Sequence, residues 1–279
     1  MFRLAEPFSS ALASKLGRRW VQAMAWCVHA YTALGLVAAA AMAILIVRGD
    51  AIAFRWVFFW MLIALFIDAT DGVLARALRV KEHLPGFDGR RLDDIIDFMT
   101  YTALPLLLIW RAGILPAGQE PWLLVPLVAS AYGFCQVEAK TDDGYFLGFP
   151  SYWNIVAFYL YVLHFHVVPL PGTVSIGLLL TLAILTFIPS RYLYPSFGGR
   201  LSRLTNVLGA IWAGLILWIW LMLPTRPDSS RQAILLTPLV LLSLAFPLYY
   251  LAASWLISWR LRQSRRTGRP YKLGVRSSI

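Results

Sequence analysis

The sequence predicts an all-α polytopic membrane protein, and three observations carry that reading. Its 279 residues are 59% hydrophobic with a mean hydropathy of +0.66, well above the ~45–50% apolar content of soluble domains. Apolar windows long enough to cross about 30 Å of hydrocarbon as a helix recur eight times along the chain. The cations, which leave a net charge of +11, fall in short clusters between those windows. That pattern orders membrane loops; a nucleic-acid-binding face would interleave basic and polar residues over a soluble surface, so no nucleic acid is expected.

In chain order, residues 1–20 come first, with Leu4, Phe8, Leu12 and Leu16 at four-residue spacing and Lys15, Arg18 and Arg19 at the end. They read as an amphipathic helix on the membrane surface, before the chain turns inward. No apolar run followed by a small-residue cleavage site marks a signal peptide. The spans are then 24–47, 54–76, 93–111, 122–138, 152–169, 173–194, 205–223 and 233–257, and 260–279 is a basic tail. Their separators carry turn residues, among them Arg48-Gly49-Asp50 and Pro169-Leu170-Pro171-Gly172. With both termini in the cytoplasm, 20 of the 25 Lys and Arg residues fall on the cytoplasmic side, as the positive-inside rule requires. The tail then lies against the anionic inner leaflet. Cys27 and Cys135 sit in apolar stretches and read as small buried hydrophobes. No repeat is visible, so residues 1–279 read as one membrane domain.

Seven of the 14 acidic residues lie between Asp68 and Asp97. Asp68 follows the apolar run Met61 to Ile67, and a carboxylate in a membrane helix costs several kcal/mol unless it meets a polar cavity, a cation or a metal. Asp68 and Asp71 are spaced i, i+3, and Asp93 and Asp97 i, i+4, so each pair shares a helix face. The two helices are consecutive and antiparallel, which lets those faces meet. Convergent carboxylates repel unless hard divalent cations bridge them, which selects Mg²⁺, Mn²⁺ or Ca²⁺. Two ions suit four carboxylates and a diphosphate, and such a pair suits in-line phosphoryl transfer. Gly72 and Ala75 remove bulk for a nucleotide, Arg76 can pair with a phosphate, and Gly89 makes space at the mouth of span three. Pairing with Arg76, Arg79, Arg90 and Arg91 would account for Asp88, Asp93 and Asp94 as loop-edge charges, but not for Asp68.

Written out, the segment is D68-A-T-D71-G72-V-L-A75-R76, twelve residues, then G89-R-R-L-D93-D-I-I-D97. It resembles the signature of the CDP-alcohol phosphatidyltransferases, membrane enzymes with a six-helix core. The twelve-residue gap, longer than in most members, is similar to that of the bacterial phosphatidylcholine synthase branch. The resemblance continues through A25-W-C-V-H29-A-Y-T32 and G148-F-P-S-Y-W-N154. It implies a core at 24–194 plus two C-terminal helices at 205–257, in a bacterial inner membrane with the active site facing the cytoplasm. The implied reaction joins CDP-diacylglycerol and choline to give phosphatidylcholine and CMP, with Mn²⁺ or Mg²⁺. By motif position, Asp68, Asp71 and Asp93 hold the first metal, and Asp97 holds the second and serves as general base. Asp68, Gly72, Ala75, Arg76 and Gly89 line the CDP site, and Thr32 or nearby backbone meets the cytosine. A homodimer is also implied. Ala69-Thr70 stands where glycine is expected for this branch.

The acceptor rests mainly on that resemblance. A quaternary ammonium is held by aromatic faces with a carboxylate nearby. The 138–154 loop offers Glu138, Asp142, Tyr145, Tyr152 and Trp153 for choline, although tyrosine and tryptophan there read equally as interfacial anchors. Serine, inositol phosphate and glycerol phosphate remain alternative acceptors, with Arg191, Arg200 and Arg203 as candidates for the phosphorylated two. His29 reads equally as a nucleotide contact or a core histidine, and His164 and His166 have no assigned role. An ion-coupled transporter would place charges at mid-membrane and show a two-half repeat. An intramembrane aspartyl protease would leave two aspartates unexplained.

Overall fold

The structure is a computed structural model and describes residues 6–136, 145–193, 200–224 and 230–267. Within those ranges the side chains of 6–16, 145, 193, 200–202, 230–234 and 264–267 are outside the description. The chain is a bundle of helices: α1 (Glu6–Arg48), α2 (Ala51–Ala77), α3 (Val80–His83), α4 (Gly89–Asp97), α5 (Leu104–Arg111), α6 (Leu124–Cys135), α7 (Trp153–Val162), α8 (Gly172–Phe187), α9 (Arg200–Met222), α10 (Ser230–Ser243) and α11 (Ala245–Thr267). Four stretches are long and apolar enough to cross a membrane: Gly17–Arg48, Ala51–Ala77, Arg203–Met222 and Leu235–Gln263. Trp153–Val167 and Gly172–Phe187 are shorter apolar helices. Large apolar side chains such as Ile44, Val47, Phe66, Leu242 and Leu248 face outward, as a lipid-facing perimeter requires. The protein is therefore a helical membrane protein.

Three local differences from the sequence reading have physical causes. No turn separates the amphipathic N-terminal segment from the first span, because α1 is one helix of 43 residues, about 65 Å long at 1.5 Å per residue. Between Glu6 and Arg48 the chain has Pro7 in the first turn and otherwise only single glycines, so nothing interrupts the backbone ladder. The third helix is not uniform: a π-helical turn, Phe98–Ala103, joins α4 to α5. Pro105 follows it and has no N–H for the Tyr101 carbonyl, so the regular ladder cannot run through this point. The last segment is two helices meeting at Leu244, where Pro247 likewise cannot donate to the Ser243 carbonyl.

The α1–α2 turn is tight. Gly49 has φ +73°, and a Cβ there would lie 2.2 Å from the Arg111 guanidinium. Asp50 caps α2 by accepting from the Ala53 N–H at 2.9 Å. That bond, with Arg48 beside it, holds the Asp50 carboxyl below its ordinary value. Two short strands, β1 (Tyr145–Leu147) and β2 (Arg191–Leu193), pair antiparallel with Phe146 opposite Tyr192. The Ser258 hydroxyl of α11 accepts from the Arg191 N–H at 2.6 Å, which ties the last helix to this hairpin. One apolar core, with Met42, Ile46, Val57, Leu108, Leu160, Leu179, Ile219 and Leu236 fully buried, runs through α1, α2, α5 and α7 to α10. At the far end of α2 the Arg55 guanidinium donates to the Leu221 carbonyl at 3.0 Å and lies over the Trp220 ring at 5.3 Å. Trp220 Nε1 returns a bond to the Arg55 carbonyl at 2.8 Å. The C-terminal helices are thus packed on the same body as α2.

Candidate active site

Asp68, Asp71 and Asp93 converge: one carboxylate oxygen from each lies within 4.8 Å of the other two. Asp68 and Asp71 come from consecutive turns of α2, and Asp93 from the middle of α4. Asp71 is buried, whereas Asp68 and Asp93 are half-buried. Two neighbouring hydroxyls orient this set. Thr32 of α1 donates to Asp71 Oδ2 at 2.8 Å, and Tyr101, in the π-helical turn, donates to Asp68 Oδ2 at 2.8 Å. Each bond fixes the orientation of the carboxylate that accepts it. Three hard oxygen donors in this arrangement suit a divalent metal.

The fourth aspartate, Asp97, lies outside the convergent set. It is one turn beyond Asp93 on α4, about 6 Å farther along the axis, and within electrostatic reach of Tyr101. Asp88 behaves as an ordinary loop charge: it caps α4 through the Arg91 N–H at 3.3 Å and pairs with Arg91 Nε at 3.1 Å.

The small residues of the segment are used differently from one another. At Gly72 a Cβ would come 3.3 Å from Arg76 Nη1, so the glycine leaves room for the guanidinium to lie back along α2. Ala75 packs against a small cluster of Ala25, Val28 and Val80, which makes it a helix contact between α1 and α2. At Gly89 a Cβ would lie 2.4 Å from His29 Cε1. A Cβ would thus meet the imidazole, which is buried and packed against Phe87 at 4.5 Å and Trp26 at 5.9 Å. Its Nε2 has no hydrogen-bond partner among the described residues. Gly35 serves the same interface: a Cβ there would lie 2.5 Å from Ile96 Cγ2. Two glycine contacts therefore bring α4 against α1, and Asp93 lies between them.

Thr32, expected with its nearby backbone to meet a cytosine, donates to Asp71. Thr70, standing where glycine is expected from the resemblance, pairs with the Tyr31 hydroxyl at 2.7 Å and bonds back to the Phe66 carbonyl. It too fastens α2 to α1. Among the residues expected for choline, Glu138 and Asp142 lie outside the described residues, as does the Tyr145 side chain. Trp153 does not reach the site: its indole is fully buried and Nε1 donates to Ser130 at 2.6 Å. Tyr152 is half-buried and immediately precedes α7, whose Asn154 and Ile155 line one groove with Leu65 of α2. His164 Nδ1 lies 3.1 Å from the Leu170 carbonyl, and Arg191 belongs to β2. An apolar groove between α2, α7 and α9, lined by Phe58, Met61, Leu65, Phe158, Trp212 and Ile216, continues the Asp68 face of α2 away from the carboxylates.

Tyr31 and Tyr101 were not legible as site residues. The available signal was weak: Tyr101 repeats the i, i+4 spacing after Asp97, and Tyr31 precedes Thr32.

No protein-family model matches the chain. It is similar to the phosphatidylcholine synthase of Legionella pneumophila, 41% identical over 184 residues, covering 65% of this chain and 68% of the relative. The phosphatidylcholine synthase of Bradyrhizobium diazoefficiens is 39% identical over 77% of this chain and 78% of its own. That of Pseudomonas aeruginosa is 38% identical over 68% and 77%. With these identities sustained over more than two thirds of each relative, the chain belongs to the phosphatidylcholine synthase family.

Proposed function

We propose that this protein transfers the phosphatidyl group of CDP-diacylglycerol to choline, releasing phosphatidylcholine and CMP, as a member of the wider CDP-alcohol phosphatidyltransferases. The observation that carries the reading is the convergence of Asp68, Asp71 and Asp93 in a chain of this family. Mn²⁺ or Mg²⁺, two ions in this reading, would be held by Asp68, Asp71, Asp93 and Asp97 and would neutralise carboxylate and diphosphate charge. Arg76 pairs with a phosphate oxygen, and Gly72, Ala75 and Gly89 set the backbone geometry of the CDP site. Asp97, apart from the convergent three, accepts the choline hydroxyl proton. The choline oxygen forms a bond to the phosphorus that carries diacylglycerol, the bond from that phosphorus to the bridging oxygen breaks, and CMP leaves with the electron pair. The groove beside Phe58, Met61 and Leu65 suits an acyl chain of the lipid substrate.

The same reading has eight spans with both termini and the site in the cytoplasm of a bacterial inner membrane. It treats 1–279 as one domain that forms homodimers. The 20-to-5 partition of cations supports the orientation.

The test is CMP release by purified protein given CDP-diacylglycerol, Mn²⁺ and choline, serine, inositol phosphate or glycerol phosphate, with EDTA as the control. CMP with choline and metal only is expected. CMP with another alcohol would refute choline, and CMP surviving EDTA would refute the metal.

A further inference from the structure

Tyrosines from distant parts of the chain lie at and behind the carboxylates. Tyr101 of the π-helical turn donates to Asp68 at 2.8 Å. Tyr152 immediately precedes α7, whose first turn places Asn154 and Ile155 in one groove with Leu65 of α2, one turn before Asp68, and it packs on Tyr250 of α11. The Tyr152 and Tyr250 rings are 6.2 Å apart and inclined at 61°. Tyr192 of β2 stacks behind Tyr250 at 6.4 Å and 28°, and Phe149 lies 6.5 Å from Tyr152. Tyr101, Tyr192 and Tyr250 are all buried, while Tyr152 is the partly open member.

An aromatic group at this place has a specific electrostatic consequence. Each ring face carries negative potential that attracts a cation without offering it a hydrogen bond. A trimethylammonium group has no N–H to donate, so it gains from such faces where a primary amine would still seek acceptors. Tyr250 belongs to α11, the last helix of the described residues.

We infer that Tyr152 and Tyr250, backed by Tyr192 and Tyr101, hold the quaternary ammonium of the acceptor alcohol on their ring faces and direct its hydroxyl toward Asp97. The inference rests on the reading of choline as the acceptor. Tyrosines that only cement three helices together would make the same contacts, so the test must separate a cation from mere packing.

The experiment measures KM for choline and for CDP-diacylglycerol in the full-length detergent-purified protein, with the wild type run against the acceptor panel. Tyr152→Leu and Tyr250→Leu are each expected to raise KM for choline about tenfold, with KM for CDP-diacylglycerol and the Mn²⁺ requirement unchanged. Tyr250→Phe keeps the ring and raises it less. Successive fluorination of phenylalanine placed at 250 drains the ring face at nearly constant shape, and KM for choline is expected to climb with each fluorine. That series also serves if Tyr250→Leu does not fold. A flat fluorination series, or a leucine variant whose two KM values rise together, overturns the inference. A wild type that releases no CMP with choline overturns the choline reading itself, which is a different result.

Discussion

Adding one methyl group to the first helix, at a residue that supplies no ligand or proton, should disable the site. In Gly35→Ala the new Cβ would lie 2.5 Å from Ile96 Cγ2, where ordinary contact begins at 3.4 Å. Ile96 is buried and β-branched, so its methyl cannot swing aside cheaply. The helix must therefore give by about 1 Å, at a stability cost of ~1–3 kcal/mol. Ile96 stands between Asp93 and Asp97 on α4, whereas Asp68 and Asp71 are on α2. The shift thus separates Asp93 from its two partners, and a displacement of about 1 Å can cost on the order of 100-fold in rate. The assay is CMP release across a Mn²⁺ titration, for Gly35→Ala and for the double variant with Ile96→Ala. The single variant should lose about 100-fold in kcat/KM and need more metal. The double variant should recover part of that loss, because deleting Cγ2 removes the clash and the two sites are coupled. Ile96→Val retains that branch and should not rescue. Wild-type turnover and metal response in Gly35→Ala would refute the argument that α4 is positioned by this contact.

Other parts of the site give separate expectations. Tyr101→Phe removes the donor to Asp68 Oδ2 and should raise the Mn²⁺ concentration for half-activation by about 10–100-fold; an unchanged metal titration would count against its orienting role. Asp97→Asn should lower turnover by about 10²–10⁴-fold while Mn²⁺ still protects the protein against heat, since three other carboxylates converge without it. Near-normal turnover in that variant would remove Asp97 as the base. Trp153→Phe leaves the Ser130 hydroxyl without its buried donor and should cost about 1–3 kcal/mol of stability, read as a lower denaturation midpoint. KM for choline should not move, in contrast to Tyr152→Leu.

Much of this protein is legible along the chain. Length and apolarity of the windows mark the helices, because lipid forces every backbone polar group into internal bonds and leaves few alternatives. Asp68 is conspicuous because it follows a run of apolar residues, and the i, i+3 spacing to Asp71 puts both on one face by helix geometry alone. What the sequence did not reveal comes from contacts between residues far apart in it. Thr32 and Asp71 are 39 positions apart, as are Tyr31 and Thr70. No local periodicity announces that those hydroxyls meet. Nothing near Gly89 in the chain shows that a Cβ there would meet His29, sixty positions earlier. Trp153 looked like an acceptor contact, yet its indole is spent on Ser130. The place of Tyr250 beside Tyr152 exists only because α11 folds back across the hairpin of β1 and β2. Chemistry that depends on one residue type at helical spacing was set by the sequence itself. Which side chain finishes each hydrogen bond, and which glycine admits which neighbour, was decided by close packing in the tertiary structure, where a single methyl group is felt.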